Sequence, residues 1–196
     1  QNADHIEFDN SEVVFVGYGI VAPEYGWNDY EGLDAAGKTV VILVNDPGFA
    51  TGDPSLFKGN AMTYYGRWTY KYEEAARQGA TAAIIVHETA PASYGWDVVS
   101  NSWSGAQSDL VRADGGADRA MLEGWLSNEQ SINLFDAAGL NLENMKTAAK
   151  TKGFSPVDMG KINVSGKIHQ TSDRLESRKG IGILPGKTTP DEYMMY

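Results

Sequence analysis

The sequence predicts an α+β domain, and three stretches carry that prediction. The front of the chain is β-rich, a helix followed at once by a buried strand occupies residues 69–86, and a strand of strict period two begins at Lys161. In the middle stretch Tyr72, Ala75, Ala76 and Gly79 fall at i, i+3, i+4 and i+7, with Thr69 as the expected N-cap and Glu73 and Glu74 near the positive end of the helix. Gly79 ends the helix, and Ala82-Ala83-Ile84-Ile85-Val86 is an apolar run of strand length, predicted to be central and covered on both faces.

The other elements follow in chain order. Val13 to Val16 and Ile20-Val21 read as a strand bent at Gly17-Tyr18-Gly19, and Lys38 to Val44 as a second strand closed by Asn45-Asp46-Pro47-Gly48. Residues 89–116 show little periodicity and many Ser, Gly, Trp and Asp residues, so they read as a long loop. Arg119 to Leu126 reads as a strand because Ser127-Asn128-Glu129-Gln130 is a capping box that starts a fresh helix, running to about Ala138. Asn141 caps a further short helix ending at Gly153. From Lys161, Ile162, Val164, Gly166 and Ile168 point inward and Asn163, Ser165, Lys167 and His169 outward. Ile181 to Leu184 and Tyr193 to Tyr196 suggest two last strands. The second has no stop signal, so the chain is expected to be truncated inside an apolar run.

Composition bounds the function. The chain has 196 residues, 42% of them hydrophobic, with no cysteine, which excludes disulfides, cysteine metal sites and thiol nucleophiles. The net charge of −10 divides as −8 over 1–60, −5 over 61–140 and +3 over 141–196. The acidic front argues against nucleic acid or an anionic membrane as partner, since both need a basic footprint. The change of sign suggests a second unit from about residue 160.

The motifs of common chemistries are incomplete. Gly17-Tyr18-Gly19 lacks the third glycine and the helix of a dinucleotide-binding loop. His87-Glu88-Thr89-Ala90-Pro91 begins like a zinc-protease helix but has proline at the second ligand position. Ser102-Trp103-Ser104-Gly105 lacks the first glycine of a nucleophile elbow. Asp109, Asp114 and Asp118 do not have the spacing of an EF-hand calcium loop. What remains is aromatic. Tyr64, Tyr65, Trp68, Tyr70 and Tyr72 with Arg67, and Tyr94, Trp96 and Trp103 in the long loop, are of the type that recognition surfaces use, because rigid rings bury large area at low entropy cost. The alternative for this set is core packing, favoured for Tyr72, which lies on the apolar helix face.

Val14 to Ile20, Ala61 to Ala76, Ile85 to Thr89 and Asn101 to Gly105 together resemble the protease-associated (PA) domain inserted in bacterial secreted zinc aminopeptidases. That co-catalytic zinc peptidase family includes the transferrin receptor and glutamate carboxypeptidase. Glu176-Ser177-Arg178, Ile181 to Gly186 and Asp191-Glu192-Tyr193 resemble the point where such a chain re-enters its peptidase domain, with Lys179-Gly180 departing from the usual pair.

The resemblance implies a β-sandwich or open barrel with two or three flanking helices over residues 1–158, then the first strands of a zinc peptidase domain over 160–196. It also implies that no residue here is catalytic or binds metal, and that the parent enzyme holds its two zinc ions elsewhere. By the same resemblance the domain covers the peptidase cleft and modulates peptide entry, and the protein is secreted or periplasmic. The partners implied are the linked peptidase domain and its peptide substrates, with a homodimer through exposed tail strands as a further expectation. Two rivals are a freestanding peptide- or sugar-binding module and a hydrolase using Ser104 or His87.

Overall fold

The computed structural model describes residues 4–180, 182, 183, 187, 188 and 192. Its main sheet has five strands: β1 (His5–Phe15), β4 (Thr39–Leu43), β5 (Ala82–Val86), β6 (Leu122–Leu126) and β7 (Val157–His169), ordered β6-β5-β4-β1-β7. Two two-residue strands, β2 (Val21–Ala22) and β3 (Trp27–Asn28), make a small antiparallel ribbon after β1. In the main sheet β1, β4, β5 and β6 run parallel, and β7 returns antiparallel along β1, from His5 opposite His169 to Phe15 opposite Val157. The class is α+β, as the sequence predicts, but among the described residues the strands form one mixed sheet with both faces covered, where the resemblance implies a β-sandwich or open barrel.

Alternation assigns the two faces. Val13 and Phe15 of β1, Val41 and Leu43 of β4 and Val86 of β5 point to one side. There they meet Phe135 of α5 (Asn128–Ala137) and Leu142 and Ala149 of α6 (Leu142–Ala149). Val14, Val16, Val40, Ile42, Ala83 and Ile85 point to the other side, onto Tyr72 and Ala75 of α2 (Trp68–Arg77). A parallel strand covered on both faces must be apolar throughout, and β5 is buried at four of its five residues.

Six α-helices are present among the described residues, where the sequence suggests two or three. The additional ones are α1 (Pro47–Thr51), a single turn capped by Asp46, and α3 (Thr89–Ala92) and α4 (Trp96–Trp103) within the stretch read as loop. α4 has Gly95 at its N-cap and no side-chain cap bond, so it lacks the usual starting signal. α2 begins one residue before the expected Thr69 cap. Arg67 is its N-cap, because the 3₁₀ turn Tyr64–Gly66 delivers the chain already extended at Arg67. The Ser127 and Asn141 caps are as predicted, accepting hydrogen bonds from Gln130 N and Asn144 N.

β7 crosses the expected boundary near residue 160 and stays paired with β1 as far as His169. Its alternation is as predicted: Ile162, Val164, Gly166 and Ile168 are half-buried and the residues between them exposed. Residues 170–180 carry no regular secondary structure. The strands expected at 181–184 and 193–196, and the homodimer through them, fall outside the described residues apart from the isolated Gly182 and Ile183.

Candidate recognition site

Because the four parallel strands share a direction, the segments that follow them gather at one edge of the sheet: the Tyr18 turn after β1, Asn45-Asp46 after β4 and His87-Glu88 after β5. In open sheets of parallel strands this is the edge at which ligands are usually bound. Two aromatic clusters extend from it, with α2 between them.

In the first cluster Tyr64 and Tyr65 stand edge-on to Tyr70, at 5.8 and 5.0 Å between ring centroids. Tyr65 also meets Phe57 at 5.7 Å, and Phe57 stacks on Tyr25 at 4.4 Å. The Tyr65 hydroxyl donates to Glu24 at 2.7 Å, and the Tyr64 hydroxyl to Glu73 at 2.8 Å. The bond to Glu24 holds the Tyr65 phenol up to about 12, since it favours the protonated form. In the second cluster Trp68 lies 5.8 Å from Trp103, 5.9 Å from Tyr72 and 6.5 Å from Trp125. Trp125 in turn lies 6.1 Å from His87, whose ring is flanked by Trp96 at 5.6 Å and Tyr94 at 5.8 Å.

The residues singled out in the sequence therefore divide. Tyr64, Trp68 and Trp96 reach solvent, with 54%, 38% and 37% of their surface exposed, and Arg67 is exposed beside Trp68. Tyr65 and Trp103 are half-buried. Tyr70 is interior, its hydroxyl bonded to the backbone N and O of Val21 at 3.1 Å, so it supports the surface rather than forming it. Trp125, Tyr25 and Phe57 complete the clusters. No local signal marks them, because they enter from β6, the first 3₁₀ turn (Pro23–Tyr25) and a loop after α1.

Beneath the aromatics lies a set of buried charges that the sequence does not signal. Lys71 is on α2, yet its Nζ is wholly enclosed and donates to the Tyr18 carbonyl at 2.6 Å. Burial pushes its ammonium down to about 7, against the opposing fields of Asp29 and Asp46. Asp29 accepts from Ile20 N at 3.0 Å and from Trp27 Nε1 at 2.7 Å, and burial pushes its carboxyl up to about 7 despite those bonds and the Lys71 charge. Asp46 caps α1 through Phe49 N at 3.2 Å and takes the Thr63 hydroxyl at 2.9 Å. Glu88, next to His87, pairs with Lys146 of α6.

Neither residue of the hydrolase rival meets a carboxylate among the described residues. The Ser104 hydroxyl is exposed and donates to Asn101 O at 3.2 Å, and His87 Nε2 lies 3.0 Å from Tyr94 O. Of the aspartates considered for calcium, Asp114 accepts from Gly116 N at 3.0 Å and the other two face arginines. Asp109 is 3.0 Å from Arg119, and Asp118 is 3.3 Å from Arg112. No group of three or more His, Asp or Glu residues among the described residues could hold a metal ion. No helix among the described residues is long and apolar enough to cross a membrane.

No protein-family model, no curated protein and no solved structure matches this chain.

Proposed function

We propose that this chain is a non-catalytic recognition domain of the protease-associated type, which covers the cleft of a linked zinc aminopeptidase and modulates the entry of peptides. The observation that carries the reading is the half-exposed aromatic surface of Tyr64, Trp68 and Trp96, backed by interlocked rings and set near the carboxyl edge of the four parallel strands, where open sheets usually bind ligands. Rings fixed by their neighbours lose little freedom when a peptide or a second domain packs on them, so the exposed area converts efficiently into affinity. The resemblance of Ala61 to Ala76 and Asn101 to Gly105 to protease-associated domains supplies the peptidase context, the zinc ions of the parent, and a secreted or periplasmic location. The same resemblance assigns residues 160–196 to the start of the peptidase domain.

Tryptophan fluorescence of the chain, titrated with unstructured peptides of two to twelve residues, tests this reading. Saturable quenching that Trp68→Ala and Trp96→Ala each weaken at least tenfold is expected, with no aminopeptidase turnover when zinc is added. Peptide turnover by the isolated chain, or quenching indifferent to both substitutions, overturns it. The second reading, a freestanding binding module, rests on the same surface and predicts the same saturable binding. It separates from the first when the chain shows no affinity for a zinc aminopeptidase domain supplied in trans.

A further inference from the structure

We infer that Asn45, with Asp46, is a positioning residue that fastens the two aromatic lobes to each other, so that displacement of one is transmitted to the other. The inference rests on the proposed recognition surface only for its biological use. Its structural content stands on the geometry of the β4 end.

Asn45 follows β4 in the left-handed region, at φ 69°, a conformation that asparagine tolerates better than other side chains. Three of its groups are used. The main-chain N–H donates to Gly66 O at 3.1 Å, Oδ1 accepts from Asp46 N at 2.9 Å, and Nδ2 donates to Pro91 O at 2.8 Å. Gly66 closes the turn that carries Tyr64 and Tyr65 and leads through Arg67 into Trp68. Pro91 lies in α3, just ahead of Tyr94 and Trp96.

Asp46 adds a second tie to the first lobe through Thr63. Both residues are buried, so each bond is shielded from water. Gly66 also sits hard against the pair. A Cβ on it would lie 2.9 Å from Asn45 Oδ1 and 3.1 Å from Asp46 Oδ2. One buried residue thus bonds both lobes, the first through its main-chain N–H and the second through its side chain, and neither lobe can shift without changing a bond to it.

Hydrogen exchange of the full chain tests this from both ends. Asn45→Gly keeps the left-handed backbone and the bond to Gly66 O but deletes the tie to Pro91 O. Exchange at residues 89–96 should rise roughly tenfold, and exchange at 63–68 should rise with it, while β4 and β5 stay protected. Gly66→Ala pushes from the first lobe and should raise exchange at 89–96, which it does not touch. Asn45→Asp, which sets a carboxylate oxygen against the Pro91 carbonyl, should act like Asn45→Gly on 89–96.

Changes confined in each variant to the lobe that was altered would overturn the inference, as would no change in either lobe. Since no ligand is used, the outcome is independent of the peptide titration. A chain that binds no peptide but shows coupled exchange removes the recognition reading and leaves this one standing.

Discussion

Replacing Lys71 by methionine should alter the pH dependence of stability more than its size, and the charges around Lys71 define how. Methionine keeps the length of the stem and removes the ammonium that donates to Tyr18 O and offsets Asp29 and Asp46. In the wild type two groups depart from their unfolded values in opposite senses. Asp29 is raised from 3.8 to about 7, so between those values the folded state holds a proton that the unfolded state has released, and stability falls as pH rises toward 7. Lys71 is lowered from 10.5 to about 7, so above 7 the unfolded state holds the extra proton, and stability climbs as pH rises toward 10. The contribution of the pair is least favourable near pH 7.

In Lys71→Met the second limb is absent, and Asp29, having lost the cation that lowers it, rises further. The stability difference between wild type and variant should be nearly constant from pH 5 to 6.5. Above pH 7 it should widen against the variant by about 2.7 kcal/mol per pH unit while Asp29 of the variant stays protonated, one proton coming from Lys71 and one from Asp29. Urea unfolding followed by tryptophan fluorescence at half-unit steps from pH 5 to 9 gives the curve. A difference independent of pH over that range would refute the reasoning.

Three further outcomes are expected. Phe135→Ala removes a fully buried ring that meets Phe15 edge-on at 5.1 Å and should destabilise by about 3–5 kcal/mol in the same urea assay. Gly19→Ala forces a side chain into a left-handed position (φ 60°) with its Cβ 2.9 Å from Ile42 Cγ2, costing about 2–4 kcal/mol in midpoint-derived stability. Glu74→Ala strips the buried carboxylate that receives Arg77 at 2.7 Å and Gln78 at 2.8 Å, and should cost about 1–3 kcal/mol, seen as a lower thermal midpoint.

The elements whose signal is local were legible in the sequence. The capping box at Ser127, the Asn141 cap, the β5 run and the alternation from Ile162 to Ile168 each needed only neighbours along the chain. α4 was not legible, because its residues Trp96–Trp103 mix apolar and Ser/Asn positions and its N-cap glycine offers no side chain. The aromatic segment reads as a unit, but its division into two clusters depends on partners distant in the chain, such as Trp125 and Phe57. Lys71 reads as an exposed helix position between two aromatics. Only the fold reveals that the Tyr18 turn lies over it. Asn45 and Asp46 read as turn residues, which is correct, but the turn chemistry does not foretell that Gly66 and Pro91 converge there.

The pairing of β1 with β7 sets a condition on how this chain is made. His5 and His169 face each other across the ladder with rings 4.6 Å apart, although more than 160 residues separate them along the polypeptide. While a ribosome is still synthesising the middle of the chain, β1 can settle only against β4, and its opposite flank stays bare. A nascent strand in that state invites chaperones or its own neighbours on the polysome, and so long a loop to close should make this the slow step of folding.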